Sequence, residues 1–216
     1  MGKPDDNTRV ISPTFRRYML INIHNNSKTV IIVVHEIYGI NEHMENICEL
    51  LSQQNFDVIC PNLLTEEAPF KYSQEEMAYH NFINNIGFID ASHQIKRVVL
   101  EIKDKYERVF IVGFSVGATI AWLCSELDCL NGTVGYYGSR IRDYLEINPT
   151  CPTMLFFPEK ERSFHVDELI LCFKEKNIIV EKFKGQHGFS DSYSPTYNEN
   201  SQQEAFHRMI DFFLIH

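Results

Sequence analysis

The sequence predicts an α/β protein, in which a mostly parallel β-sheet lies between two layers of helices and is opened by an antiparallel hairpin. Strand-like and helix-like patterns alternate along the chain, which is typical of parallel sheets built from strand–helix–strand units. Several strand patterns, including Val30–Val34 and Met154–Phe157, are almost continuously apolar, as expected for strands covered on both faces. The segment Asn25-Asn26-Ser27 is typical of a hairpin turn between the first two strands.

The elements follow one another in a simple order. Strands are predicted at Tyr18–His24, Thr29–Val34, Phe56–Cys60, Arg108–Val112, Gly132–Tyr137, Thr153–Phe157 and Ile178–Phe183. Apolar residues spaced three and four apart predict helices around Met44–Leu51, Ile95–Ile102, Ile120–Leu127, Val166–Phe173 and Phe206–Phe213. Only a short segment separates Gly132–Tyr137 from the next strand, so no large lid domain is expected there. No linker rich in Pro, Gly or Ser divides the chain, and we expect one domain over residues 1–216.

Composition limits the possible partners. The chain has 20 Lys and Arg residues against 29 Asp and Glu residues, a net charge of −9, which disfavours binding to nucleic acid or anionic membranes. No apolar run approaches the roughly 20 residues of a membrane-spanning helix, and the first residues lack the apolar core of a signal peptide. The six cysteines form no C-x-x-C pair and are interpreted as small buried hydrophobes. We therefore expect a cytoplasmic protein without metal or organic cofactor.

The sharpest signal in the sequence is Gly113-Phe114-Ser115-Val116-Gly117, which follows a predicted strand and opens a predicted helix. This is the G-x-S-x-G pattern of a nucleophile elbow, whose glycines permit close backbone contacts around the serine. The N-terminus of the helix also brings N–H groups and partial positive charge to a developing oxyanion. Ser115 is therefore the candidate nucleophile, and a simple tight turn is the alternative.

A nucleophilic serine needs a base and an acid. Of the nine histidines, His187 lies in a loop between the last predicted strand and the last predicted helix, where α/β hydrolases place the base. The acid is expected after the strand Thr153–Phe157, where Glu159 and Glu161 compete, and Glu161 is favoured.

The loop His35–Asn41 follows the strand Thr29–Val34 and precedes a helix. Oxyanion holes in sheets of this kind combine the N–H group after the nucleophile with one from this loop. The expected donors are the backbone N–H groups of Val116 and Ile37.

Three motifs together resemble the dienelactone hydrolase family of α/β hydrolases, over nearly the whole chain: His35-Glu36-Ile37-Tyr38-Gly39, the segment from Gly113 to Ala118, and His187-Gly188-Phe189. The resemblance implies the α/β-hydrolase fold, aligns the family's base with His187 and its acid with Glu161, and places Glu36 beside the nucleophile. Burial there would raise the pKa of Glu36 and make it a neutral hydrogen-bond donor. A capping or solvated carboxylate is the alternative for this residue.

Three positions depart from the family pattern. Dienelactone hydrolase itself has a cysteine where this chain has Ser115, and the acid is usually an aspartate where this chain has Glu161. The arginine that grips the substrate carboxylate is replaced by Asp191. Three basic residues in strand-end segments are the candidates to compensate for it, but nothing in the sequence directs them to the site: Lys71, Arg140 and Arg142. We therefore expect neutral short-chain esters to be better substrates than carboxylate-bearing lactones.

The expected function is that of a cofactor-independent serine hydrolase that cleaves small carboxylic esters or lactones through Ser115, His187, Glu161 and an acyl-enzyme. Aromatic residues of the long segment Pro61–Gly87, with two others, are candidates for the pocket wall, although such residues more often belong to the core: Phe70, Tyr72, Tyr79, Phe82, Tyr38 and Tyr137. A non-catalytic binding module of the same fold is the alternative. A flavodoxin-like nucleotide binder is disfavoured because no strand–helix junction carries a glycine-rich phosphate loop.

Overall fold

Seven strands form one sheet at the centre of the molecule. The structure, a computed structural model, describes residues 20–64 and 68–216. The strands are β1 (Leu20–Ile23), β2 (Thr29–Val34), β3 (Asp57–Pro61), β4 (Arg108–Phe114), β5 (Gly132–Tyr136), β6 (Thr153–Lys160) and β7 (Ile179–Gln186). Their order in the sheet is β1-β3-β2-β4-β5-β6-β7, and every neighbouring pair is parallel except β1 with β3. The predicted fold class is confirmed.

The predicted pairing of the first two strands as a hairpin is wrong. Strand β1 pairs antiparallel with β3, while β2 lies between β3 and β4 and uses both of its edges for parallel pairs. The connecting turn is held by Asp57 at the start of β3, whose carboxylate accepts N–H bonds from Asn25 at 2.8 Å and Ser27 at 3.0 Å. The turn from the outer strand β1 therefore crosses the start of β3 before the chain enters β2. Residues 18 and 19 of the predicted first strand lie outside the described residues.

Helices cover both faces of the sheet. They are α1 (Glu42–Gln53), α2 (Glu75–Asn81), α3 (Phe88–Ile102), α4 (Val116–Cys124), α5 (Val166–Leu171) and α6 (Glu199–Ile215). Helices α1 and α6 pack on one face, and α3 and α4 pack on the other. The short helix α2 lies in the long segment after β3 and was not predicted, because its seven residues include a single buried one, Ala78.

The double cover explains why the inner strands are apolar throughout. Successive side chains of a strand point to opposite faces, so Ile31 and Val33 of β2 enter the core with α1 and α6. Val30 and Ile32 enter the core with α3 and α4. Each residue of β2 is buried, and the strand therefore lacks the polar alternation of a sheet with one wet face.

The connection between β5 and β6 carries no large insertion. In the described residues, the connection between β5 and β6 holds only a single 3₁₀ turn, Ser139–Asp143, as its regular structure.

None of the helices in the described ranges is long and apolar enough to cross a membrane. All six cysteines are free thiols, and of these only Cys172 is exposed. The single domain over residues 1–216 stays a prediction, since it includes residues outside the described ones.

Candidate active site

Ser115 occupies a strained turn between β4 and α4. Its φ of 53° and ψ of −113° lie in a region that residues with a side chain rarely adopt. Such a turn requires glycine on both sides. A Cβ atom on Gly113 would lie 2.0 Å from the carbonyl oxygen of Gly117, and one on Gly117 would lie 2.2 Å from the carbonyl oxygen of Val34. The motif therefore places a partly exposed serine at the start of a helix, as a nucleophile elbow does.

A continuous hydrogen-bonded chain joins Ser115 to two residues from distant loops. His187, in the loop after β7, has its Nε2 atom 2.9 Å from Ser115 Oγ. Its Nδ1 atom lies 2.8 Å from Glu161 Oε1. Glu161 directly follows β6 and its side chain is 4% exposed, whereas Glu159 is exposed. Of the two competing glutamates, the structure brings Glu161 to the histidine.

The surroundings of His187 favour its protonated form. Burial of the ring lowers the pKa of His187, but the hydrogen bond and charge of Glu161, with smaller contributions from Glu36 and Glu75, outweigh burial and hold this pKa above 6.5. The loop is fixed by the Thr196 hydroxyl, which donates to the carbonyl oxygen of His187 at 2.7 Å. The imidazole is thus held in place and is basic enough to accept a proton.

The loop after β2 is braced from inside by His35. The Leu63 N–H group donates to His35 Nε2 at 2.8 Å, so the ring proton resides on Nδ1 and is donated to the carbonyl oxygen of Glu36 at 2.6 Å. Burial lowers the pKa of His35 to about 4, so the ring is neutral at pH 7. The sequence had offered no sign of this brace. It fixes the peptide that carries the Ile37 N–H group.

The two predicted oxyanion donors belong to neighbouring segments: Ile37 lies in the loop after β2, and Val116 is the first residue of α4. The loop after β2 runs directly against the start of α4, because the carbonyl oxygens of Val34 and His35 face Gly117. Among the described residues, neither the Ile37 N–H group nor the Val116 N–H group has a hydrogen-bond acceptor. Neither N–H group is therefore occupied by an acceptor within this part of the chain, and the oxyanion hole stays a prediction.

The acid that precedes Ile37 in the loop after β2, Glu36, is a buried residue with only 5% of its surface exposed. Burial first, and then the negative charge of Asp191, raise its pKa to about 7, against opposing effects from His187 and a hydrogen bond with Tyr137. The Tyr137 ring is fully buried and packs on His187 with ring centroids 4.9 Å apart. Glu36 and Tyr137 thus form a buried polar layer next to the histidine.

Asp191, at the position of the family arginine, is a buried carboxylate. It is 2% exposed and accepts the Tyr72 hydroxyl at 2.6 Å and the Tyr193 N–H group at 2.9 Å. The His43 ring lies 3.7 Å away, but burial lowers the pKa of His43 to about 4, so the ring carries no compensating charge at pH 7. The sequence could not show the bond between Tyr72 and Asp191, whose partners are 119 residues apart.

The three basic residues noted in the sequence form no ion pair with Asp191, whose one such contact in the described part of the chain is with His43. The Arg140 guanidinium donates to the Tyr79 hydroxyl at 2.7 Å and to Asp143 at 3.1 Å. The Arg142 guanidinium donates to the carbonyl oxygen of Ser139 and lies over the Phe164 ring at 5.1 Å. Lys71 is exposed.

The proposed pocket aromatics take different positions. Tyr38 and Tyr72 are partly buried and meet edge to face with ring centroids 4.8 Å apart. Phe70 is partly buried beside them, and its N–H group donates to the carbonyl oxygen of Tyr38 at 2.9 Å.

A separate groove of about 670 Å³ lies along α2, and none of the predicted site residues lines it. Nowhere in residues 20–64 and 68–216 do three potential ligand side chains form a group able to hold a metal ion.

Comparison with known proteins assigns the chain to a family. The model of the dienelactone hydrolase family matches residues 16–216. Uncharacterized protein YczH of Bacillus subtilis is 40% identical over 174 residues, covering 79% of this chain and 85% of that protein. Carboxymethylenebutenolidase 1 of Cupriavidus pinatubonensis is 22% identical over 200 residues, covering 86% and 85%.

A solved structure shows the same fold. The dienelactone hydrolase-like promiscuous phosphotriesterase P91, from metagenomic libraries, superposes with a TM-score of 0.70 at 12% identity, over 91% of this chain and 96% of that one. The family model and the fold agree with the motifs and with the geometry around Ser115. The chain therefore belongs to the dienelactone hydrolase family and is a hydrolase that cleaves ester bonds.

Proposed function

We propose that this hydrolase cleaves small carboxylic esters or lactones through a triad of Ser115, His187 and Glu161 and a covalent acyl-enzyme. The observation that carries the proposal is the unbroken chain of hydrogen bonds from Ser115 Oγ to His187 Nε2 at 2.9 Å and from His187 Nδ1 to Glu161 Oε1 at 2.8 Å. This order of nucleophile, base and acid is the one used in acyl transfer by serine hydrolases.

The first half of the reaction forms the acyl-enzyme. Ser115 Oγ attacks the substrate carbonyl carbon while His187 Nε2 accepts the hydroxyl proton, and the carbonyl electron pair moves to the oxygen. The N–H groups of Ile37 and Val116 stabilise that oxyanion; in other enzymes, loss of one such donor costs about 3 kcal/mol of barrier. Glu161 accepts a hydrogen bond from the Nδ1–H group of His187 and stabilises the imidazolium. The intermediate then expels the alcohol, which takes its proton from His187.

The second half releases the acid product. A water molecule attacks the acyl carbon, and His187 again accepts the proton. The second tetrahedral intermediate collapses and expels Ser115 Oγ, which regains its proton from His187. For a lactone, the alcohol and the acid are parts of one product molecule.

The charges around the site support neutral substrates. Asp191 is buried, and within residues 20–64 and 68–216 it has no cationic partner, since His43 is neutral at pH 7. Binding a carboxylate requires a donor such as a guanidinium to offset its desolvation, and Arg140 and Arg142 are engaged elsewhere. The relative named carboxymethylenebutenolidase supports the inclusion of lactones.

The test of substrate charge compares phenyl butyrate with phenyl hydrogen succinate at matched ionic strength. We expect the higher kcat/KM for the neutral ester. A higher kcat/KM for the carboxylate ester would contradict the proposal. If that advantage is lost when Lys71, Arg140 or Arg142 is replaced by alanine, the replaced residue forms the carboxylate site.

The test of the acid uses a matched pair of variants. Glu161→Gln removes the charge that stabilises the imidazolium, so we expect kcat to fall by roughly 10³- to 10⁴-fold. Glu159→Gln changes an exposed carboxyl only two residues away and should leave kcat unchanged. If Glu159→Gln is the impaired variant, the assignment of the acid is wrong. If the wild-type protein turns over none of the esters, the proposed substrate class is wrong.

We further propose a cytoplasmic location, which the six free cysteines support because thiols persist in reducing compartments. Fractionation of cells that express the natural protein, followed by detection with an antibody, tests it. Recovery in the extracellular or membrane fraction would contradict it.

A further inference from the structure

The hydroxyl group of Tyr72 lies where three segments of the chain meet. Tyr72 opens the turn before α2, and its hydroxyl donates to Asp191 Oδ2 at 2.6 Å. The same oxygen accepts a hydrogen bond from the Asn41 side-chain N–H group at 3.2 Å. The Tyr72 ring also contacts Tyr38. One side chain therefore connects the loop after β2 with the loop after β7.

The two loops joined in this way carry different parts of the proposed machinery. Asn41 ends the loop that holds the Ile37 N–H group and is anchored as the N-cap of α1, where its Oδ1 atom accepts the Met44 N–H group at 3.1 Å. Asp191 lies four residues after His187, and its N–H group donates to the carbonyl oxygen of Gly188 at 3.0 Å. Asn41 and Asp191 are each bonded within their own loop, so the Tyr72 hydroxyl between them links the two loops directly.

We propose that Tyr72 is a positioning residue for the hydrolytic reaction: its hydroxyl ties the oxyanion loop, residues 35–41, to the histidine loop, residues 187–191. The inference rests on the proposed function, since it assigns roles to the Ile37 N–H group and to His187. The tie keeps the oxyanion donor and the base at the separation that the tetrahedral intermediate requires.

The strength of the tie follows from the burial of its acceptor. Asp191 is 2% exposed, and a hydrogen bond shielded from water is electrostatically stronger than one in water. The Phe70 N–H bond to Tyr38 attaches the same segment to the oxyanion loop at a second point. Removing the Tyr72 hydroxyl leaves a buried carboxylate with one donor fewer, and the histidine loop can then shift to recover one.

The test measures kcat, KM and melting temperature for Tyr72→Phe, with Tyr193→Phe as the matched control. Tyr193 is 46% exposed and contributes to the network only its backbone N–H group, so its variant should behave as wild type. For Tyr72→Phe we expect kcat to fall by roughly 10- to 100-fold, because small displacements of catalytic groups have effects of this size. KM should change by less than about twofold, because the hydroxyl acts on the loops rather than on bound substrate.

A second variant keeps the inference testable if Tyr72→Phe is too unstable to assay. Asn41→Ser retains an oxygen that can cap α1 but is too short to reach Tyr72, and we expect it to lower kcat in the same direction by a smaller factor. A kcat for Tyr72→Phe within about twofold of wild type, or an effect on KM alone, would show that Tyr72 only walls the pocket.

The same assay separates this inference from the function on which it rests. Wild-type turnover that Ser115→Ala abolishes leaves the proposed function standing, whatever Tyr72→Phe does. Turnover that survives in Ser115→Ala overturns the proposed function, and the positioning role of Tyr72 falls with it.

Discussion

Replacing Glu36 by glutamine should remove a pH-dependent loss of stability from the protein. In the folded state burial, reinforced by the charge of Asp191, raises the pKa of Glu36 from 4.5 to about 7. Well below pH 4.5 this carboxyl is neutral in the folded and the unfolded chain alike, so it does not affect the free energy of unfolding. As the pH rises toward 7 the unfolded chain loses the proton first, and the folded state is progressively destabilised; above that pH the loss is complete.

The size of the effect follows from the pKa values. One pKa unit corresponds to about 1.4 kcal/mol, so the whole effect is about 3 kcal/mol. That is a large fraction of the roughly 5–15 kcal/mol that stabilises a typical domain. Glutamine has the shape of the neutral acid and no proton to lose, and the variant should escape this destabilisation.

Urea unfolding of wild type and Glu36→Gln at several pH values measures the difference directly. Trp122, the single tryptophan, is 1% exposed and reports unfolding by its fluorescence. The free energy of unfolding of the variant, relative to wild type, should rise by about 3 kcal/mol between about pH 4 and pH 8. His35 and His43 also titrate, but they are common to both proteins and cancel. The pKa of His187 responds to the charge of Glu36, and this coupling is part of the measured difference. The exposed Glu159→Gln variant is the control and should show no such trend. A difference that is equal at both ends of the range would refute the reasoning.

Three further predictions concern the chemistry and the elbow. His187→Ala should lower kcat by roughly 10⁴-fold or more, because the base is lost, and should also lower the melting temperature, because the buried Glu161 carboxyl loses its His187 partner; turnover retained by the folded variant would remove His187 from the mechanism. The kcat/KM of wild type should fall as the pH falls through the pKa of His187, which lies above 6.5 because Glu161 and Glu36 favour the protonated ring; an inflection below 6.5 would contradict this. Gly117→Ala should destabilise the protein strongly, because the added Cβ atom would lie 2.2 Å from the carbonyl oxygen of Val34, and a melting temperature equal to that of wild type would show that the elbow relaxes.

The central part of the fold and of the candidate site could be predicted because its signals are local. Continuous apolar strands, helix periodicity and a serine between two glycines each depend on a few consecutive residues, and the order of elements then brings His187 and Glu161 to Ser115. The position after the predicted strand left Glu159 and Glu161 in competition, and the family resemblance aligned the acid with Glu161. The structure gives this alignment a physical reason, since β6 continues to Lys160 and its next residue is the one that turns inward.

The features that the sequence did not predict depend on contacts between distant residues. Strand β1 pairs with β3, and the Asp57 carboxylate at the start of β3 holds the turn between β1 and β2. A turn pattern in the sequence cannot show which strand supplies that acceptor. The bond from Tyr72 to Asp191 joins residues 119 positions apart. An unremarkable tyrosine and a single aspartate in a loop carry no pattern until the fold brings them together.

The measurement that tests the central proposal most directly is covalent labelling with a fluorophosphonate, read by intact-protein mass spectrometry and peptide mapping. The probe forms a stable bond only with a serine whose hydroxyl is activated by a base and whose oxyanion is stabilised. We predict a single adduct on Ser115, absent from Ser115→Ala and formed far more slowly in His187→Ala. Labelling at another serine, or no adduct on a protein whose unfolding curve shows it to be folded, would contradict the account.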